Sequence, residues 1–151
     1  MNFLKKLLGL SNEPKQKQLN PQPKTEQDEV FLRGTGNFDL EVTGESFYQD
    51  NLEAICGERN ERGENKEVVA RIVLEDDNKF DKGNAVRIDI EGKPIGYLSK
   101  KVARVYRETM KAHGAINAIV TCNALIKGGW KRNNGNIGNY GVWLDIPFEE
   151  E

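Results

Sequence analysis

Three stretches of this chain alternate apolar and polar residues with a period of two, the pattern of strands with one wet face. Phe38, Leu40 and Val42 alternate with Asp39, Glu41 and Thr43 up to Gly44; Val86, Ile88 and Ile90 alternate with Arg87 and Asp89; Val142, Leu144 and Ile146 alternate with Trp143 and Asp145. Glu67 to Leu74 and Ala115 to Lys127 are rich in β-branched and small residues and read as further strands. Glu91-Gly92-Lys93-Pro94 turns the chain after Ile90, so Pro94 to Leu98 returns as the second strand of a hairpin. Two stretches have the helical period instead. Leu52, Ile55 and Cys56 predict a short helix over Asp50 to Cys56, capped by Asp50 or Asn51 and stopped by Gly57. Ser99 and Gly114 bracket a longer one, with Val102, Tyr106 and Met110 facing the core and Lys100, Arg104, Arg107 and Lys111 lining one side. Glu58 to Lys66 has no period and reads as an exposed loop, as does the Asn/Gly stretch from Gly128 to Asn139. Trp130 and Trp143 are large enough to be expected in the core or at its edge. The sum is a mainly β domain, with a closed or partly open barrel as the way to remove strand edges.

Length and composition add the boundaries. At 151 residues, 37% hydrophobic and 30% charged, the chain supports one compact domain and some unpacked sequence. Residues 1–30 read as a tail: Met1 to Leu10 is a short amphipathic segment with Phe3, Leu4, Leu7 and Leu8 on one side, a candidate face for a protein partner or membrane surface, and Ser11 to Glu29 is a polar linker with Leu19 as its one leucine. The domain spans 31–148 and an acidic tail 149–151. No window approaches the length of a transmembrane segment, and Lys5 and Lys6 interrupt what a signal peptide needs as its apolar block, so a cytoplasmic location is expected. Cys56 and Cys122, in apolar contexts and without CxxC spacing, read as buried free thiols.

The net charge of −2 conceals a segregation. Asp39 to Gly96 holds 15 acidic and 8 basic residues, whereas Tyr97 to Arg132 holds 8 basic and 1 acidic. A mildly acidic chain can therefore present a basic face.

Candidate chemistry narrows quickly. Glu75, Asp76, Asp77 and Asp81 resemble a metal-binding carboxylate cluster, but they lack EF-hand spacing and suit turns that cap their own backbone. There is no P-loop, Gly34-Thr35-Gly36 is an isolated GxG, and His113, the one histidine, sits at a helix end without a nucleophile to serve. No catalytic constellation, metal site or cofactor is expected. Aromatic residues beside cations remain: Phe47, Tyr48, Phe80 and Tyr97 at strand ends or loop starts, with Lys82 and the Lys100, Arg104, Arg107 stripe near them. Rings for stacking bases and cations for following phosphates are the parts of a single-strand binding groove.

Four blocks then resemble the HIRAN domain family, in order and spacing: Phe38 to Tyr48 (FDLEVTGESFY), Asp76 to Val86 (DDNKFDKGNAV), Ile95 to Ser99 (IGYLS) and Ile126 to Trp130 (IKGGW). The resemblance covers Phe38 to Pro147. It implies a small OB-like β-barrel of about six strands with one short and one longer helix, and a DNA-binding pocket for the 3′-hydroxyl end of single-stranded DNA, a function used in DNA repair and replication by the fork-remodelling SNF2-type translocases that carry such domains. By position, Phe47 and Phe80 match rings that stack on terminal bases, Asn78 and Asp81 match groups that bond the end nucleotide, and Lys100 matches a phosphate contact. Three positions depart from the family pattern: Phe80 stands where Tyr is usual, Tyr97 replaces a commoner His, and Gly83 is an extra residue between Lys82 and Asn84. The translocase motor is missing, so no ATPase is implied. Two alternatives remain, a protein-interaction adaptor with a vestigial DNA pocket and a metal-dependent nuclease or other hydrolase.

Overall fold

The computed structural model of the chain describes residues 28–147. The amphipathic decapeptide with Phe3, Leu4, Leu7 and Leu8, residues 11–27 of the linker and the 149–151 tail lie outside the described residues; Glu29 and Val30, expected in the tail, belong to the domain because they pair with Ile119 and Val120. Strands β1 (Glu29–Leu32), β2 (Leu40–Glu41), β3 (Glu64–Glu75), β4 (Ala85–Ile90), β5 (Lys93–Tyr97), β6 (Ile119–Gly128) and β7 (Tyr140–Asp145) make one sheet, and helices α1 (Gln49–Cys56) and α2 (Lys100–Ala112) cover it. A 3-10 turn, Glu45–Tyr48, leads into α1.

β3 is the spine of the sheet. It pairs antiparallel with β6 from Glu64 to Ile72 and with β4 from Ala70 to Glu75, which sets the order β2-β7-β6-β3-β4-β5. β1 adds in parallel to Ile119–Cys122 of β6, beyond the Asn123–Gly128 segment that β7 occupies. The twisted sheet curls into a half-barrel of the OB-like kind, with one short and one longer helix. Its two edges meet where Thr43 and Tyr97 exchange a pair of 2.8 Å backbone hydrogen bonds. Gly96 permits that approach: a Cβ there would fall on Val42 Cγ1 and lie 2.7 Å from the Thr43 carbonyl. The inward residues of the alternating strands, among them Ile72, Val86, Ile88, Ile126 and Leu144, pack with Leu52 of α1 and Tyr106 and Met110 of α2. Each buried side chain of this size contributes about 1.5–3 kcal/mol relative to exposure.

The hairpin and both helices form where the pattern places them, but α1 starts at Gln49 with Tyr48 at its N-cap and no side-chain cap. Asp50 and Asn51 therefore lie inside its first turn, and Asn51 donates to the Pro94 carbonyl instead. Ser99 caps α2 by accepting the Val102 N–H at 3.3 Å, and Gly114 follows its C-cap with φ +66°. Four elements differ from the pattern, the first being β1, a strand that no periodicity marks. The Phe38–Gly44 strand shrinks to Leu40–Glu41, because the buried Asp145 carboxylate accepts the Gly36 and Phe38 N–H groups and holds Phe38 at φ +51°. Glu64–Lys66, expected in a loop, is extended because Ile126–Gly128 pairs with it. Ala115 to Ala118 is a turn closed by the Ala118 N–H on the Ala115 carbonyl, so β6 starts only at Ile119. Of the two places expected for them, Trp130 and Trp143 take the edge: both are half-buried and outside the core cluster. Trp143 shares β7 with inward-facing Val142 and Leu144, and the period of two sends it to the other face.

Cys122 is buried and Cys56 half-buried, both free; burial pushes their thiols up to about 12 and about 11. At neutral pH both are protonated and poorly nucleophilic. Among the described residues no helix is long and apolar enough to cross a membrane.

Candidate functional site

Two phenyl rings stand almost entirely in solvent. Phe47, on the 3-10 turn, is 85% exposed, and Phe80, in the 76–84 loop between β3 and β4, is 87% exposed. Leaving a ring outside forgoes about 1.5–3 kcal/mol of burial, so both segments must be held by other contacts.

The 76–84 loop is held by its own polar residues. Gly83 donates its N–H to the Asp76 carbonyl at 2.7 Å, and the Asn84 and Ala85 N–H groups share the Asp81 carbonyl. Asn78 Oδ1 accepts the Phe80 and Asp81 N–H groups at 2.8 and 3.0 Å, the Asx turn that Asn favours. Gly83 has φ +82° with open space around it, so the extra residue completes the turn in a conformation that suits glycine. Arg107 fastens the loop to α2, donating to Asp76 Oδ1 at 2.9 Å and to the Ala85 carbonyl at 2.7 Å.

One carboxylate links this loop to the segment bearing Phe47. Glu75 Oε1 accepts the Tyr97 hydroxyl at 2.6 Å and Asn78 Nδ2 at 2.8 Å, while Oε2 accepts Arg87 Nη1 at 2.9 Å. Arg87 is held in turn by a two-point bond to Asp89, with lengths of 2.8 and 2.9 Å. The Tyr97 ring meets that of Tyr48, the neighbour of Phe47, at a centroid separation of 6.4 Å. Hydrogen bonds from Asn78, Tyr97 and Arg87 hold the Glu75 carboxyl below its usual range. Burial, followed by the bond to Glu75, raises the Tyr97 phenol well above its usual value, so Tyr97 is a neutral donor.

The expected residues fall into two groups. Phe47, Phe80, Lys82, Lys100 and Arg104 are exposed, and Asp81 is half-exposed, touched on its side chain by Asn84 Nδ2 at 3.4 Å. Tyr48, Asn78, Tyr97 and Arg107 are instead built into the frame beneath them. Arg107 does not share the wet face of Arg104: its side chain is 17% exposed and its two terminal nitrogens are engaged. The carboxylates do not converge, since Glu75 turns to Tyr97, Asn78 and Arg87 while Asp76 turns to Arg107. Among the described residues no group of three His, Cys, Asp or Glu is arranged to hold a metal ion. The sequence reading missed Glu75 as the common anchor and Arg87 as its counter-ion. The one available signal was the polar pair Arg87 and Asp89 on the wet face of β4.

Chemically, this surface offers two rings for flat partners, a half-exposed carboxylate beside one ring and separate cations on the loop and α2. No family model, curated protein or solved structure matches the chain.

Proposed function

We propose that this protein binds single-stranded DNA, taking the 3′-hydroxyl end between the segments that carry Phe47 and Phe80, as a HIRAN-type domain acting in DNA repair or replication in the cytoplasm. The observation that carries the reading is the pair of exposed rings on separate segments, one on the loop that Glu75 bonds through Asn78 and the other on the turn whose Tyr48 meets the ring of Glu75-bonded Tyr97. Exposed phenyl rings on rigid supports suit base stacking, because a held ring loses little entropy when a base settles on it. Asp81, three residues past the carboxamide that shapes the loop, accepts the terminal hydroxyl; Lys82, Lys100 and Arg104 meet phosphates. Four sequence blocks with the HIRAN spacing support the same assignment.

Titrating a fluorescently labelled single strand and following its anisotropy tests the stacking part. Phe47→Ala and Phe80→Ala should each weaken binding by about five- to a hundredfold, the effect of losing about 1–3 kcal/mol of stacking. Unchanged affinity in both variants would remove the rings from the interface and the reading with them.

A further inference from the structure

The 3-10 turn that carries Phe47 also borders a concave surface, an open groove of about 600 Å³ to which Glu45 and Ser46 contribute. Both tryptophans of the chain line it. Each indole is seated on a glycine. A Cβ at Gly141 would lie 2.8 Å from Trp143 Cη2, and a Cβ at Gly138 would fall on the Trp130 ring. The absence of a side chain at each glycine lets the indole lie close to backbone while it lines the groove. Each ring also has a cation over it, Lys127 Nζ at 5.6 Å from the Trp143 centroid and Arg132 Cζ at 4.6 Å from the Trp130 centroid. Arg62 adds a third cation. Of the three carboxylates present, Glu45 is half-buried and spent on the Val142 backbone, and burial raises its pKa; Glu41 and Glu64 remain.

We propose that this groove holds the nucleotides preceding the terminal one on a bound single strand, their bases taking the place of the exposed Lys127 and Arg132 over Trp143 and Trp130 as those cations turn, with Arg62, to the phosphates. The proposal rests on the single-strand reading above and extends its site from an end pocket to a track. The turn Glu45–Tyr48 carries both the exposed Phe47 and two residues that line the groove, Glu45 and Ser46, so the two binding surfaces are adjacent along the chain. Flat sugars also stack on indoles, but a neutral saccharide has no use for cations placed over both rings, whereas a polyanion does.

Because both tryptophans lie here and neither lies in the end pocket, tryptophan fluorescence reads the groove selectively. A decanucleotide ending in a 3′-hydroxyl should quench this emission and bind about five- to a hundredfold more tightly than a dinucleotide with the same end. Trp143→Ala should abolish that gain while leaving dinucleotide binding intact, and Trp143→Phe should keep most of it. Lys127→Ala should flatten the log-log salt dependence of decanucleotide binding by about 0.7 without altering the fold seen by circular dichroism. A decanucleotide blocked at its 3′ end should still quench, which separates the two sites: failure of the end pocket alone leaves the quenching in place. Equal affinities for the two lengths without quenching would overturn the track even if end preference persists. Quenching by a neutral oligosaccharide but not by the decanucleotide would overturn it in favour of sugar binding.

Discussion

Three hydrogen bonds converge on Glu75, from Tyr97 of β5, from Asn78 of the loop and from Arg87 of β4. Glu75→Gln removes the charge that makes them strong while nearly preserving shape, and should cost about 1–3 kcal/mol of stability. The cost should depend on pH. The folded carboxyl is depressed below its reference value of 4.5, so its contribution is present above that value and lost as pH falls through the lower folded value. Melting temperatures measured from about pH 6 down to about pH 3 should fall less steeply in the Gln variant than in the native protein. Identical slopes would contradict the anchoring role. Arg104 and Arg107 should also part company. Arg104→Ala should leave stability unchanged and flatten the salt dependence of DNA binding by about 0.7 in log-log slope, whereas Arg107→Ala should chiefly lower the melting temperature by freeing the loop. Both arginines were legible as one helical stripe. That Arg107 is engaged was not, because its partner Asp76 lies 31 positions earlier and helical spacing carries no information about it. Phe47 and Phe80 were easier to find, each being a ring in a polar stretch where no apolar neighbours compete to bury it.

At the level of elements, legibility followed one-sided burial. β4, β7 and α2 each show one face to the core and one to water, and their periods mark them, whereas β5 was legible from the turn before it. β1 and the first residues of β3 escaped notice because what makes them strands is pairing with β6, whose residues come more than fifty positions later. β2 was overextended because its alternating residues carry no sign of Asp145 drawing the preceding backbone out of line. The approach of β2 to β5 has a sharp dependence on Gly96. Gly96→Ala sets a methyl against Val42 and the Thr43 carbonyl, and should cost about 1–3 kcal/mol, the usual range for overpacking. The same variant should loosen the turn bearing Phe47 and weaken single-strand binding; full stability in thermal melts would show that the Thr43–Tyr97 closure is soft.

For the molecule as a whole, curling the sheet brings the chain's two charge regimes together. The acidic half supplies the frame around Glu75 and Asp81, and the basic half supplies α2 and the end of β6. β1 belongs to this body. Leu32 is fully buried, so Leu32→Ala should destabilise the domain by about 2–5 kcal/mol in denaturant unfolding, whereas a strand resting loosely on the surface would lose far less. The half-barrel presents two exposed rings on separate segments that border the Glu75–Tyr97 pair, and the function inferred from that geometry is capture of a strand end. A hydrogen bond from a terminal hydroxyl to ionised Asp81 is worth about 1.5–3 kcal/mol, and a 3′-phosphate would bring like charge against the carboxylate. The most direct measurement is fluorescence anisotropy on three short oligonucleotides that differ only in a 3′-hydroxyl, dideoxy or phosphate terminus. The hydroxyl end should bind about ten- to a hundredfold more tightly than the dideoxy end, the phosphate end should bind weakest, and Asp81→Asn should erase most of these differences. Equal affinity for all three termini would contradict end recognition.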